Sequence, residues 1–309
     1  LAATSSRSIE PSASVPTTVT VPAGSNRGSF QVTAGNVTAD TTVTISGTLS
    51  GVTKSAGLTV LKQRSCVTAP GGIVGWYRGE TSGSDSVGGS GNDGALKGDT
   101  TYVPGKVGQG FRFDGYGDYI DLPQRNVGTQ FTVEFWMWAE RGIYQNLIVG
   151  TGGEGNFGLL SIREDGKVSS WAPGIGWYVA GGSAGLNQWT HVALTQDGSM
   201  TRIYVNGVET GVSGQINVSL NNSIRIGEGF QGILDEVTIY NRALTAGEVQ
   251  GIYSADNGGK CVAVALTALT LEKGIANAGQ TVMGTVDIGI PAPVGGTVVA
   301  LSSTNSGAA

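Results

Sequence analysis

Short runs in which apolar and polar residues alternate, closed at each end by Gly, Asn, Asp or Pro, recur along the whole of this 309-residue chain. A period of two sends successive side chains to opposite faces of an extended strand, so runs of this length and spacing specify the antiparallel sheets of a sandwich. The runs at 17–21, 28–32, 41–45, 132–138, 202–205 and 237–240 are examples. In Val205-Asn206-Gly207-Val208 the Asn-Gly pair supplies both positive φ angles of a type I′ hairpin turn. A single segment carries a helix signal: Thr245 is placed to cap it, and Glu248 follows three residues later. The segment is short, so the expectation is an all-β protein with one or two helical turns.

The aromatic residues divide the chain. All six Trp, all nine Tyr and six of the seven Phe lie between Cys66 and Cys261, and only Phe30 lies outside. The flanks are Thr, Ser, Val, Ala and Gly, the text of small sandwiches cored by β-branched residues. The boundaries read 1–62, 63–262 and 263–309.

Charge and composition exclude several function classes. The net charge is −5, and the 18 Lys and Arg are scattered singly, which leaves no concentrated basic surface for nucleic acid. No run approaches the ~18 to 20 apolar residues of a spanning helix, so membrane insertion is not expected. A single His and two Cys cannot build the usual zinc clusters.

Five strings of the middle segment resemble the concanavalin A-like, laminin G-like jelly-roll family. They are Gly72-Ile73-Val74-Gly75-Trp76-Tyr77-Arg78-Gly79-Glu80, Phe113-Asp114-Gly115 with Asp118-Tyr119-Ile120, Phe131-Thr132-Val133-Glu134-Phe135-Trp136, Gln188-Trp189-Thr190-His191-Val192-Ala193, and 232–244 around Asp235-Glu236. They occur in the family's order across essentially all of 66–261. Sandwiches of this kind bind sugars, bind proteins or only space other domains.

The resemblance implies that the first and last strands are neighbours, so Cys66 and Cys261 should meet in a disulfide and the protein should belong to an oxidising, extracellular setting. Two separate buried thiols are the alternative. It also implies that Asp235 falls near the oxygen-rich turn 85–94. Asp85, Asn92, Asp235 and the backbone around Gly88 are then candidate ligands for a structural Ca2+; the alternative is a turn satisfied by its own backbone. Trp171, Trp177 and Tyr178 flank the Pro173-Gly174-Ile175-Gly176 turn and offer planes for stacking on sugar rings, or else belong to the core. His191 sits in an apolar strand without a nucleophile motif and reads as a packed, hydrogen-bonded residue. The paired-carboxylate strand of glycosidases is not matched, because adjacent Asp235 and Glu236 should point to opposite faces. The expectation is accordingly that the chain is not an enzyme.

The flanks resemble partial bacterial immunoglobulin-like surface repeats. Strands are expected near 17–22, 28–33, 41–48 and 55–61, and near 264–272, 280–290 and 296–303, together the count of one immunoglobulin-like sandwich. The fold class is thus a jelly-roll β-sandwich with incomplete immunoglobulin-like strands at both ends. The poles of such a sandwich lie ~25–30 Å apart at ~3.3 Å per residue, whereas a disulfide holds its Cα atoms ~5–6 Å apart. Completion of one flank by the other within one chain is therefore disfavoured.

The 263–309 strands of one copy would instead complete the 1–62 strands of the next, making a secreted, cell-surface filament subunit whose partners are neighbouring copies of itself. Two alternatives stand beside this: adjacent repeats of a longer surface protein, and a carbohydrate-binding module of a secreted glycan-degrading or adhesin protein. The sequons at Asn36, Asn217 and Asn221 matter only where the source glycosylates them.

Overall fold

The computed structural model describes residues 3–5, 12–62, 64–87, 90–142, 144–152, 155–172, 176–214, 220–221, 223–261, 266–288, 299 and 301. Between Ile73 and Tyr240 two antiparallel sheets pack face to face. One runs in the order Thr101–Pro104, Gln109–Asp114, Gln231–Tyr240, Phe131–Ala139, Trp189–Gln196, Met200–Val205, Val208–Gly214, with Ile73–Tyr77 also paired to Gln231–Tyr240. The other runs Gly176–Ser183, Lys167–Ala172, Gly155–Ile162, Gln145–Gly152, Ile224–Ile226, Tyr119–Leu122, Ala95–Lys97. The all-β expectation holds.

The strand Phe131–Ala139 shows why the sandwich forms. Phe131, Val133, Phe135 and Met137 alternate into one core with Leu147, Leu160, Ile162 and Val168 from the other sheet. Most of its other face is covered as well, with Trp138 partly exposed. Trp136 stacks on Tyr253 of the helix Ala246–Ala255, with ring centroids 5.8 Å apart, and the Thr132 hydroxyl donates to the Arg242 carbonyl and accepts from Leu244 N. A strand covered on both sides can bury the polar residues of its second face only where each finds a partner.

The helix is longer than the sequence implied, ten residues rather than one or two turns. Its Thr245–Glu248 capping box forms as expected, and Val249, Ile252 and Ala255 give it a buried face. Asn206 and Gly207 take φ of 51° and 77° between the paired Val205 and Val208, the expected turn.

The two cysteines form a disulfide, Cα to Cα 4.9 Å. Beside it Val67–Thr68 pairs in parallel with Lys260–Cys261. Just outside, Lys62, Arg64 and Ser65 lie along Asp256–Gly258: the Asn257 amide donates to Lys62 O and its Oδ1 accepts from Arg64 N, while Arg64 pairs with Asp256 at 2.8 Å. A Cβ on Gly258 would lie 2.5 Å from the Ser65 carbonyl oxygen and 2.6 Å from that of Arg64. Gly258→Ala should therefore push this backbone away and cost about 1–3 kcal/mol in urea denaturation, the usual penalty of overpacking; an unchanged midpoint would mean the linker gives freely.

Before the disulfide, a sheet runs in the order Thr18–Val19, Ala3–Ser5, Thr41–Leu49, Val52–Val60, and Ala13–Ser14 pairs with Thr33–Ala34. The strand expected at 28–33 shrinks to Thr33–Ala34. Ser25 accepts from Arg27 N and donates to Arg27 O, local bonds of the kind that compete with a ladder. After the disulfide, Ala268–Leu271 pairs with Gly284–Asp287 as a separate two-stranded ribbon. The strand expected near 296–303 lies outside the described residues except for 299 and 301. No helix among the described residues is long and apolar enough to cross a membrane.

Candidate functional site

The residues proposed for calcium separate into two places. Asp85 Oδ1 accepts from Trp76 N at 2.9 Å and Val87 N at 3.1 Å, and Oδ2 pairs with the Arg125 guanidinium at 3.1 Å. The Asn92 carbonyl accepts from the same Arg125 at 2.8 Å and from the Tyr77 hydroxyl at 3.0 Å. Burial pushes that phenol up, well above its ordinary range, although Arg125 opposes the shift. A guanidinium therefore stands where Asp85 and Asn92 were expected to share a cation, and both Asp85 oxygens are engaged. This donor set fits an internal arginine better than calcium. Gly88 lies outside the described residues.

Asp235 is elsewhere, its Oδ2 accepting from Val107 N at 2.8 Å beneath Gly105. Another carboxylate group, Asp99, Asp114 and Asp118, brings its oxygens within 4.8 Å of one another. Two backbone N–H groups, of Asp99 and Asp114, already donate to Asp118.

The surroundings of Asp235 hold what the sequence did not disclose. Glu236 has φ of 57°, and the pairing of Gln231–Tyr240 with Phe131–Ala139 slips there by a residue. A bulge resets the alternation of a strand, so Asp235 and Glu236 lie on the same, helix-covered face rather than on opposite faces as expected. Lys260 bridges Glu134 at 3.0 Å and Glu236 at 3.2 Å, all three essentially without exposure. His191 Nε2 lies 3.2 Å from Glu134 and its ring meets Trp136 edge-on, the packed and bonded histidine that was expected. The Trp76 indole donates to Glu236 at 3.1 Å.

Burial works to raise the Glu134 carboxyl, but Lys260 and His191 outweigh it and hold the group below the usual carboxylate range. Burial likewise works to lower Lys260, and the two glutamates carry it above its ordinary value. Asp235, buried and facing the charge of Glu236, is pushed well above the carboxylate range. Under the helix and next to the disulfide, this network binds the end of the jelly roll to its sheet.

The sugar-stacking candidates lie at one end of the seven-stranded sheet. Trp171, half-buried on Lys167–Ala172, is the backbone partner of Trp177 on Gly176–Ser183. The side chains of Trp177 and Tyr178, and residues 173–175, lie outside what the structure describes. Two residues before Trp171, Ser169 continues a cross-strand row Asn146–Ser161–Ser169. The core residues Leu147, Leu160, Ile162 and Val168 point the other way, so this row is on the outer face. The hydroxyls of Tyr144 and Ser161 both donate to Asn146 Oδ1 at 3.0 Å. On this face Asn146 and Trp171 are half-buried while Ser161 and Ser169 are buried, so an amide and an indole are what it offers to a sugar, whose ring has hydroxyls at its edge and C–H groups on its face.

Residues 114–250 match the family model of the Concanavalin A-like lectin/glucanases superfamily. Among solved structures, domain 4 of AbnA, a GH43 extracellular arabinanase from Geobacillus stearothermophilus, in complex with arabinotriose, is 25% identical with a TM-score of 0.50. That match covers 58% of this chain and 97% of the other. A Trypanosoma rangeli sialidase in complex with sialic acid is 16% identical with a TM-score of 0.50, over 69% of this chain and 42% of the sialidase, a likeness of fold. No curated protein matches the chain. The sandwich is a concanavalin A-like fold, and its disulfide is typical of extracellular domains. The expectation that the chain is not an enzyme is overturned, since the arabinanase domain it resembles is part of an enzyme, although no enzymatic activity is thereby shown for this chain.

Proposed function

We propose that the jelly roll is a glycan-recognition module of an extracellular, cell-surface protein, and that the outer face of its seven-stranded sheet meets the sugar. The observation that carries this is the likeness to nearly the whole of an arabinanase domain whose structure holds arabinotriose. Trp171, half-buried on the same outer face as Asn146, is the stacking plane. Titration calorimetry with arabinotriose, and a glycan array beside it, tests the reading. Binding is expected, and Trp171→Ala should weaken it about tenfold, the equivalent of one aromatic contact. A folded protein that binds no glycan on the array sinks the proposal.

A second reading concerns the flanks, for which a specific observation speaks: each forms a sheet of its own with an apolar face open to water. Copies of the chain join end to end through these immunoglobulin-like strands as a surface filament or repeat array, and the jelly roll is displayed at each step. The domain limits 1–62, 63–262 and 263–309 belong to this reading. Deleting residues 263–309 should abolish assembly in negative-stain microscopy, and fibres from the truncated chain would refute it.

A further inference from the structure

A sheet with one apolar face is stable only when another layer covers that face, and among the described residues two such faces lack a cover. The first belongs to the hairpin Thr41–Leu49 and Val52–Val60. One side is a ladder of hydroxyl pairs, Thr42–Thr59 at 3.3 Å, Ser46–Ser55 at 2.8 Å and Thr48–Thr53 at 2.8 Å, suited to water. The other side carries Val43, Ile45, Ala56, Leu58 and Val60, placed together by the register. Ala13 packs on Val43 and Val60 and closes one end of this face. The other end is an apolar groove of about 270 Å³ walled by Pro16, Val19, Phe30, Ile45 and Ala56, with Lys54 among its lining residues.

The second face belongs to the ribbon Ala268–Leu271 and Gly284–Asp287. Leu269 stands opposite Val286, and Leu271 opposite Gly284, so these side chains share one side, while Thr270 and Thr285 share the other. Leu269, Leu271 and Met283 are 57%, 64% and 69% exposed. A lone two-stranded ribbon is at best marginally stable in water, and this one shows water its apolar side.

The two faces are matched in chemistry. A 150 Å³ apolar cavity holds a benzene-sized group, so the groove has room for roughly two aliphatic side chains, and Leu269 and Leu271 sit at the i, i+2 spacing that enters one face together. Glu272, exposed just after Leu271, is the counter-charge for Lys54. Within one chain the faces do not cover each other, since Phe30 remains 50% exposed along with the ribbon leucines.

We infer that the apolar side of the 268–287 ribbon of one copy docks into the Pro16–Phe30–Ile45 groove of a second copy. This inference rests on the end-to-end reading and deepens it by naming the contact. The contact is heterologous, so each copy uses both halves, and repetition gives an open chain unless the rotation closes a ring.

The test follows from that asymmetry. Phe30→Asp blocks only the groove and Leu271→Asp only the ribbon, so each variant alone should be monomeric in sedimentation velocity. Their mixture should form dimers and stop, because one intact groove and one intact ribbon remain. Lys54→Glu, which reverses a charge on the lining and leaves the apolar residues of the groove in place, should weaken association several-fold at low salt and less at high salt. Losing one leucine from the contact is expected to weaken it at least tenfold. Far-ultraviolet dichroism and jelly-roll melting unchanged from the parent show that the variants fold. If the parent assembles and all three variants assemble equally well, this contact is wrong while the end-to-end reading stands. If the parent stays monomeric at every concentration, both fall.

Discussion

Lys260→Met should lower folding stability by about 3–5 kcal/mol at pH 7, the loss that accompanies removal of one partner from a buried ion pair. The lysine ammonium stands buried between Glu134 and Glu236, and its removal leaves two buried carboxylates facing each other. The pH dependence identifies the cause. In the parent protein Glu134 is held below its unfolded value of ~4.3, so its contribution is complete above that pH and is lost as pH falls through the folded value. Without Lys260 burial dominates, the carboxyl moves up, and protonation relieves the variant as pH falls from 7 toward 5. The gap between the two proteins should therefore narrow on mild acidification. Asp235 has the opposite sign: its folded value lies above the unfolded ~3.9, so its contribution is full below that pH and declines as pH rises toward the folded value. Removing Lys260 leaves Glu236 uncompensated beside Asp235, which pushes Asp235 further in the same direction and adds to the relief of the variant on acidification. Urea unfolding at pH 5 and pH 7 decides; a deficit under 1 kcal/mol, or one equal at both pH values, would contradict the role assigned to Lys260.

The sandwich was legible because its signals are local. Period-two runs, the Asn206-Gly207 turn and the Thr245–Glu248 box each fix conformation within a few residues, and tertiary packing agrees with all three. The Cys66–Cys261 pairing was legible through the family resemblance, which brought the ends of the segment together. The charged network was not legible, because it depends on one residue of register. Strict alternation sends Asp235 and Glu236 apart, and the bulge at Glu236 brings them together. Lys260 then reaches them from beyond the helix, a distance in sequence that no spacing rule spans. Arg125 was overlooked for a related reason: a lone arginine in a loop reads as solvated, yet it lies between Asp85 and Asn92, where the sequence invited a metal. Of the sugar candidates, Trp171 carried a visible signal, whereas the polar row beside it emerges only when Asn146, Ser161 and Ser169 are aligned across three strands.

Replacing both Cys66 and Cys261 by Ser should cost about 2–5 kcal/mol, and its origin is separable. Loop closure in the unfolded chain gives about 5 kcal/mol for a sequence separation of 195, an effect blind to the folded contacts. The structure adds a second path. Cys261 follows Lys260 directly, and the bond holds the Lys260–Cys261 strand against Val67–Thr68, which keeps the ammonium between its carboxylates. Were the first path the whole effect, the cost of losing the disulfide would be the same in the parent and in Lys260→Met. With the second path at work, part of that cost is the loosening of Lys260, and it is absent once the lysine is gone. The double-mutant cycle is expected to show a coupling of about 0.5–3 kcal/mol, the range for residues that share one network, with the disulfide worth less in the Lys260→Met background. Strict additivity would assign the disulfide wholly to the unfolded chain and leave Lys260 held by the sheet and helix alone.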